Sequence, residues 1–187
     1  MDPRERLMEI LVDRSVRLGD FTLASGAHSS YYVDARRTTM SAEGQHLTGK
    51  VAWSALRESG LAPSHVGGLT MGADPVAYAL ARESFEQGHA LDGFSVRKQA
   101  KDHGTGQRIE GGLPEDAHCL VIEDSMTTGG SALKAIEALE EYGATVVGVL
   151  TLVDRQEGGR ERLQEAGYPL VSIYSGPELL AAAKARS

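Results

Sequence analysis

Apolar and polar residues follow one another along this chain in blocks whose period changes several times. From Arg4 to Leu18 the apolar positions Leu7, Ile10, Leu11 and Leu18 recur at helical spacing, and Gly19 is placed to end that helix. Phe21 to Asp34 mixes aromatic, hydroxyl and glycine residues, which predicts short extended pieces around Ser25-Gly26. A second helix is expected from about Ala42 to Glu58, with Leu47, Val51 and Ala55 turned to the core and Gly60 beyond its end. Strand and helix signals then alternate. His65 to Thr70 reads as a strand, Pro75 to Glu86 as a helix, Ala90 to Val96 as a strand and His118 to Ile122 as another. A helix ending near Gly143 precedes Ala144 to Val153, an apolar, β-branched run suited to a strand covered on both faces. A short helix over Arg160 to Ala166, a strand near Leu170 to Ile173 and an alanine-rich helix complete the pattern. This alternation predicts an α/β domain with a doubly wound parallel sheet flanked by helices. In such sheets ligands bind beyond the carboxyl ends of the strands.

One stretch breaks the rhythm. Gln99 to Pro114 is polar, holds four glycines and shows no periodicity. A loop of this length inside a compact domain is expected to be functional, and the basic residues at its front point to a mobile lid.

Composition narrows the classes that remain. A length of 187 residues, with 41% hydrophobic and 24% charged positions, suits one globular domain. No apolar run reaches membrane-spanning length, and the acidic and basic residues Asp2, Arg4, Glu5 and Arg6 do not follow a signal-peptide plan. A cytoplasmic location with no membrane partner is therefore expected. The single cysteine, Cys119, excludes an intrachain disulfide and is expected to be a packing residue at the start of an apolar strand. A net charge of -7 argues against a nucleic-acid-binding surface, which needs clustered positive charge. The six histidines form no close pair at helix spacing, which argues against a zinc site.

The chemistry concentrates in Cys119 to Ser131, where an apolar run ends in Glu123-Asp124 and opens into Ser125-Met126-Thr127-Thr128-Gly129-Gly130-Ser131. Leu133, Ile136 and Leu139 beyond it mark an amphipathic helix. A loop between strand end and helix start offers unpaired N–H groups and the positive end of the helix dipole, so it favours a phosphate. Gly129 and Gly130 allow close backbone approach, and Thr127, Thr128 and Ser131 add hydroxyl donors. Ionised Glu123 and Asp124 only accept hydrogen bonds, which suits the vicinal hydroxyls of a ribose. A Walker loop is excluded because no lysine precedes the Ser or Thr, and a dinucleotide fingerprint fails on its glycine spacing. A second cluster, Arg97, Lys98, Lys101 and His103, supplies cations at the front of the lid.

Taken together these motifs resemble the type I phosphoribosyltransferases, whose 5-phosphoribosyl 1-diphosphate (PRPP) motif is similar to Glu123 to Ser131. Arg97-Lys98-Gln99-Ala100-Lys101-Asp102-His103-Gly104 is similar to the catalytic loop of the orotate phosphoribosyltransferase family. Phe21 to Gly26 with Ser29, Tyr31, Tyr32 and Asp34 resembles that family's orotate-side segment. Gly68 to Pro75 is similar to its diphosphate-side loop and Asp154-Arg155-Gln156-Glu157 to its late base-binding motif. The resemblance implies one phosphoribosyltransferase domain over residues 1–187, with about residues 1–40 forming an N-terminal helix and hood segment.

It also implies transfer of phosphoribosyl from PRPP to orotate, giving orotidine 5'-phosphate and diphosphate in pyrimidine (UMP) biosynthesis. PRPP would be held by Arg97, Lys98, Lys101, His103, Glu123, Asp124, Ser125, Met126, Thr127, Thr128, Gly129, Gly130 and Ser131, and orotate by Thr127 and Arg155. Lys101 and Asp124 are the expected catalytic residues. Mg2+ is the implied cofactor, with ligands drawn mainly from PRPP and water rather than from a protein cage. A homodimer sharing the lid between subunits follows from the same resemblance. At Ala24 and Gly72, where some relatives carry lysine, backbone amides or the lid are expected to compensate. Two other readings remain open: a phosphoribosyltransferase for a different nucleobase, and a non-catalytic PRPP-sensing regulator that binds nucleic acid.

Overall fold

The structure, a computed structural model, describes residues 1–22, 28–99 and 108–186. Helix α1 (Pro3–Ser15) leads into an antiparallel hairpin of β1 (Val16–Thr22) and β2 (His28–Val33). The expected helix from Arg4 to Leu18 is thus three residues too long. Val16, Arg17 and Leu18 pair instead with Val33, Tyr32 and Tyr31, so Gly19 lies in a strand and ends no helix. Hairpin pairing satisfies these backbone groups, and Leu18 stays exposed. A single turn, α2 (Arg36–Thr39), which no periodic signal announces, precedes α3 (Ala42–Ser59). Ser41 caps α3 by accepting the Gly44 N–H, and Gly60 closes it in the left-handed conformation.

The remaining elements are β3 (His65–Leu69), α4 (Ala73–Glu86), β4 (Asp92–Val96), β5 (Ile109–Glu110), β6 (His118–Met126) and α5 (Gly130–Tyr142). They end with β7 (Thr145–Asp154), α6 (Gly159–Glu165), β8 (Leu170–Ser175) and α7 (Gly176–Lys184). The main sheet runs β5-β4-β3-β6-β7-β8, parallel throughout except for β5 at its edge. Ile109 and Leu113 of the expected lid are buried, so the back of that stretch belongs to the core. Its residues 100–107, including Lys101 and His103, lie outside the described residues.

Side-chain alternation along β6 explains the two helical layers. Leu120 and Ile122 join the cluster formed with α1, α3, α4 and α7, whereas Cys119 and Val121 join the one formed with α5 and α6. On α5, Ala132, Ala135, Ile136 and Leu139 make the matching apolar stripe. Helix α1 contributes Leu7, Ile10 and Leu11 to the first cluster, which ties the N-terminal segment to the same core as the sheet.

Candidate active site

The carboxyl ends of β3, β6 and β7 meet the end of the hairpin around two adjoining cavities. The larger, about 590 Å3, is bordered by Tyr32, Asp34, Thr127, Thr128, Arg155 and Glu157 among others. The smaller, about 260 Å3, is bordered by the β3–α4 loop with Lys98, Glu123 and Ser131. Arg36, Gly72 and Asp124 border both.

Strand β6 runs four residues further than expected, so both acids and Ser125 sit on a sheet strand rather than in a loop. Only Thr127, Thr128 and Gly129 separate Met126 from α5. Gly129 has a φ of 73°, the left-handed geometry that turns the chain into the helix. The N–H groups of these three residues make no backbone hydrogen bond among the described residues, and the helix dipole adds positive potential at the same place.

Glu123 is held in an unusual state. Burial, reinforced by the Asp124 charge, pushes its carboxyl up to about 7, against the pull of the Ala132 N–H and the Ser131 hydroxyl. Its Oε2 is buried and makes no hydrogen bond. Asp124 is also raised, again chiefly by burial, while Arg36 pulls it back. Gly72 fits closely here: its φ of -63° suits any residue, but a Cβ would collide with the Asp124 carboxylate. The loop leading to Gly72 contains a cis Thr70–Met71 peptide and is anchored by Asp74, which accepts from Thr70 Oγ1 at 2.6 Å and Ser95 Oγ at 2.7 Å.

Across the larger cavity, Arg155 follows β7 directly and is buried. Its Nε donates to the Tyr31 hydroxyl at 3.1 Å, its Nη2 approaches Ser29 Oγ at 3.2 Å and Glu157 Oε1 at 3.0 Å, and the guanidinium stacks 4.2 Å from the Tyr31 ring centre. Its Nη1 makes no hydrogen bond among the described residues. The Arg155 backbone N–H donates to Met126 O at 2.8 Å, which joins this side of the site to the β6 loop.

Comparison with known proteins decides between the families that such a cradle could serve. A family model described as a phosphoribosyl transferase domain matches residues 42–166. The orotate phosphoribosyltransferase of Aquifex aeolicus is 44% identical over 180 residues, covering 95% of this chain and 97% of that protein. The chain belongs to the orotate phosphoribosyltransferase family. Among solved structures, Mycobacterium tuberculosis orotate phosphoribosyltransferase in complex with Fe(III) dicitrate superposes with a TM-score of 0.84 at 40% identity, covering 95% of this chain and 99% of that one. The same enzyme in complex with PRPP gives a TM-score of 0.78 at 36% identity, covering 95% and 99%. The fold is therefore that of the type I phosphoribosyltransferases.

Within this family member the structure gathers most of the residues singled out in the sequence. Asp124, Ser125, Thr127, Thr128 and Arg155 border the larger cavity, and Lys98, Glu123, Asp124 and Ser131 the smaller. Gly129 and Gly130 form the turn into α5. Met126 is different, because its side chain is wholly buried in the core, which leaves only its main chain on the site side. Arg97 borders neither cavity and donates through Nε to Glu110 at 2.8 Å. Sequence reasoning missed Arg36, which carries no motif of its own beyond the run Asp34-Ala35-Arg36-Arg37.

Proposed function

We propose that this chain transfers the 5-phosphoribosyl group of PRPP to N1 of orotate, giving orotidine 5'-phosphate and diphosphate in pyrimidine biosynthesis. The observation that carries this reading is the meeting of a helix-start loop, two raised carboxyls and a buried, pre-oriented arginine around two adjoining cavities. The near full-length identity to orotate phosphoribosyltransferases supports the same reaction.

In this reading the Thr127 to Gly130 loop takes the 5'-phosphate and Glu123 with Asp124 takes the ribose hydroxyls. The unpartnered Glu123 Oε2 is the acceptor that such a hydroxyl would satisfy. As the anomeric C–O bond to diphosphate breaks, the ribose gains positive charge that both carboxylates stabilise, and orotate N1 forms the new C–N bond as its proton passes to the departing diphosphate or to water. Arg155 presents Nη1 to the orotate carboxylate or a ring carbonyl, with its other donors fixed on Tyr31 and Ser29. Lys101 and His103 would bring cations onto the departing diphosphate.

Magnesium fits this arrangement. The described residues include no cluster of three ligating side chains, and hard carboxylate oxygens lie beside the cavity, so PRPP and water would complete the coordination. Bound there, the ion would neutralise diphosphate charge.

A homodimer belongs to the same reading, and the exposed apolar side chains Met71 and Phe85, 58% and 76% accessible, are surface that a partner could cover. We also place the protein in the cytoplasm; among the described residues no helix is long and apolar enough to cross a membrane. Incubation of PRPP and magnesium with orotate, uracil, hypoxanthine or adenine in turn, followed by diphosphate release, tests the acceptor. Release with orotate alone is expected. Release with another base in its place overturns the assignment.

A further inference from the structure

Arg36 stands at the seam between the two cavities, and none of the roles above uses it. It borders both, together with Gly72 and Asp124. Its Nε donates to Asp34 Oδ1 at 2.9 Å, and neither terminal amino group makes a hydrogen bond among the described residues. The side chain is about half exposed, so the free edge of the guanidinium faces the cavity mouth rather than the core.

The charges around it define what that edge can meet. Asp34, Glu123 and Asp124 make this wall acidic, yet a phosphoribosyl donor must bring a diphosphate against it. The β3–α4 loop offers Thr70, Met71 and Gly72, none of them cationic, and the Asp124 carboxylate excludes a side chain at Gly72. Lys98 borders only the smaller cavity, and Arg155 borders only the larger, with Nε and Nη2 held by Tyr31, Ser29 and Glu157 and Nη1 assigned above to orotate. Among the described residues Arg36 is the one cation that borders both cavities.

We propose that Arg36 is a diphosphate-binding residue, presented by Asp34, whose two free amino groups engage the leaving group of PRPP across the seam. This assignment rests on the reading of the site as a PRPP site. A planar guanidinium with two parallel donors matches paired phosphate oxygens, and its hold strengthens as charge accumulates on the departing diphosphate. Asp34 acts as a positioning residue by fixing the Nε edge and so orienting the fork.

Calorimetric titration of the full chain with inorganic diphosphate and, separately, ribose 5-phosphate, both with magnesium present, tests the assignment. Arg36→Ala should weaken diphosphate binding about tenfold or more, as expected for loss of a charge-assisted pair, and leave ribose 5-phosphate within about twofold. Arg36→Lys, which keeps the charge without the fork, should fall between it and the wild type. Arg37→Ala, exposed and outside both cavities, should change neither titration. Unchanged diphosphate binding in both Arg36 variants, or equal weakening of both ligands, overturns the proposal. Wild-type turnover of PRPP with orotate is followed alongside. Its absence would overturn the reaction assigned above, whereas wild-type turnover with normal diphosphate binding in Arg36→Ala overturns the Arg36 role alone.

Discussion

Replacing Glu123 by Gln should remove the pH dependence that its burial builds into folding. The carboxyl moves from 4.5 to about 7 in the folded chain, mainly because burial penalises its charge. A raised carboxyl means that the folded state keeps its proton to higher pH than the unfolded state, so stability falls as the pH rises through the window from 4.5 to about 7. Below that window the group is neutral in both states and costs nothing. Above it the folded protein carries a buried charge, and the displacement corresponds to about 3 kcal/mol.

Glutamine keeps the shape without the charge, so the difference in melting temperature between Glu123→Gln and wild type should widen with pH in the variant's favour. For a domain of this size ~3 kcal/mol corresponds to roughly 6–12 °C at full ionisation. Calorimetric melts of ligand-free protein from about pH 5 to about pH 8.5 at constant ionic strength measure it directly. Asp124→Asn provides a cross-check, since removing the neighbouring charge should lower the Glu123 midpoint while burial keeps it above the ordinary carboxylate value. A melting difference that stays constant across the range would refute the reasoning, because it would mean that Glu123 ionises in the folded chain as it does in the unfolded one.

Gly72→Ala should rotate the Asp124 carboxylate out of place, raising KM for PRPP about tenfold or more with little change in melting temperature; an unaltered KM would show that Asp124 adjusts freely. Gly176→Ala would set a methyl group against the Tyr31 hydroxyl and strain its bond to Arg155. Steady-state kinetics should then show a raised KM for orotate with KM for PRPP held, whereas equal rises would separate Arg155 from the acceptor. Lys101→Ala should lower kcat by about a hundredfold if the lid lysine stabilises the departing diphosphate in the transition state, and normal turnover would remove it from that role.

Long periodic segments were legible because burial alone dictates them. The stripe on α5 and the apolar runs of β6 and β7 have little choice but to form a covered sheet and its flanking helix. The misread parts are those that pairing decides. Val16 to Leu18 continue a helical pattern yet become a strand because β2 lies alongside, and β5 is two residues that only β4 can order. The Thr127 to Gly130 loop declared itself through composition, since hydroxyls and glycines cluster there. Tyr31 falls in the aromatic segment before Asp34, but its link to Arg155 spans 124 positions and no local pattern encodes it. Arg36 escaped for a related reason: its meaning comes from Asp124 and Gly72, both far along the chain.

The register between β6 and β7 has a consequence for how this protein can vary. Met126 lies opposite Asp154, so the Thr127 to Gly130 loop and Arg155 leave neighbouring strands at the same level, joined by the bond from the Arg155 N–H to Met126 O. The one irregularity between these strands falls at Cys119/Leu120, at the end remote from the site, and the register stays constant from Leu120 to Met126. An inserted or deleted residue near that irregularity has somewhere to go. The same change between Leu150 and Arg155 would shift one half of the site by a full residue against the other and turn alternate side chains to the wrong face. Length variation should therefore be confined to segments outside these paired strands, leaving any change in what the site holds to the exchange of side chains on a spacing that the backbone keeps constant.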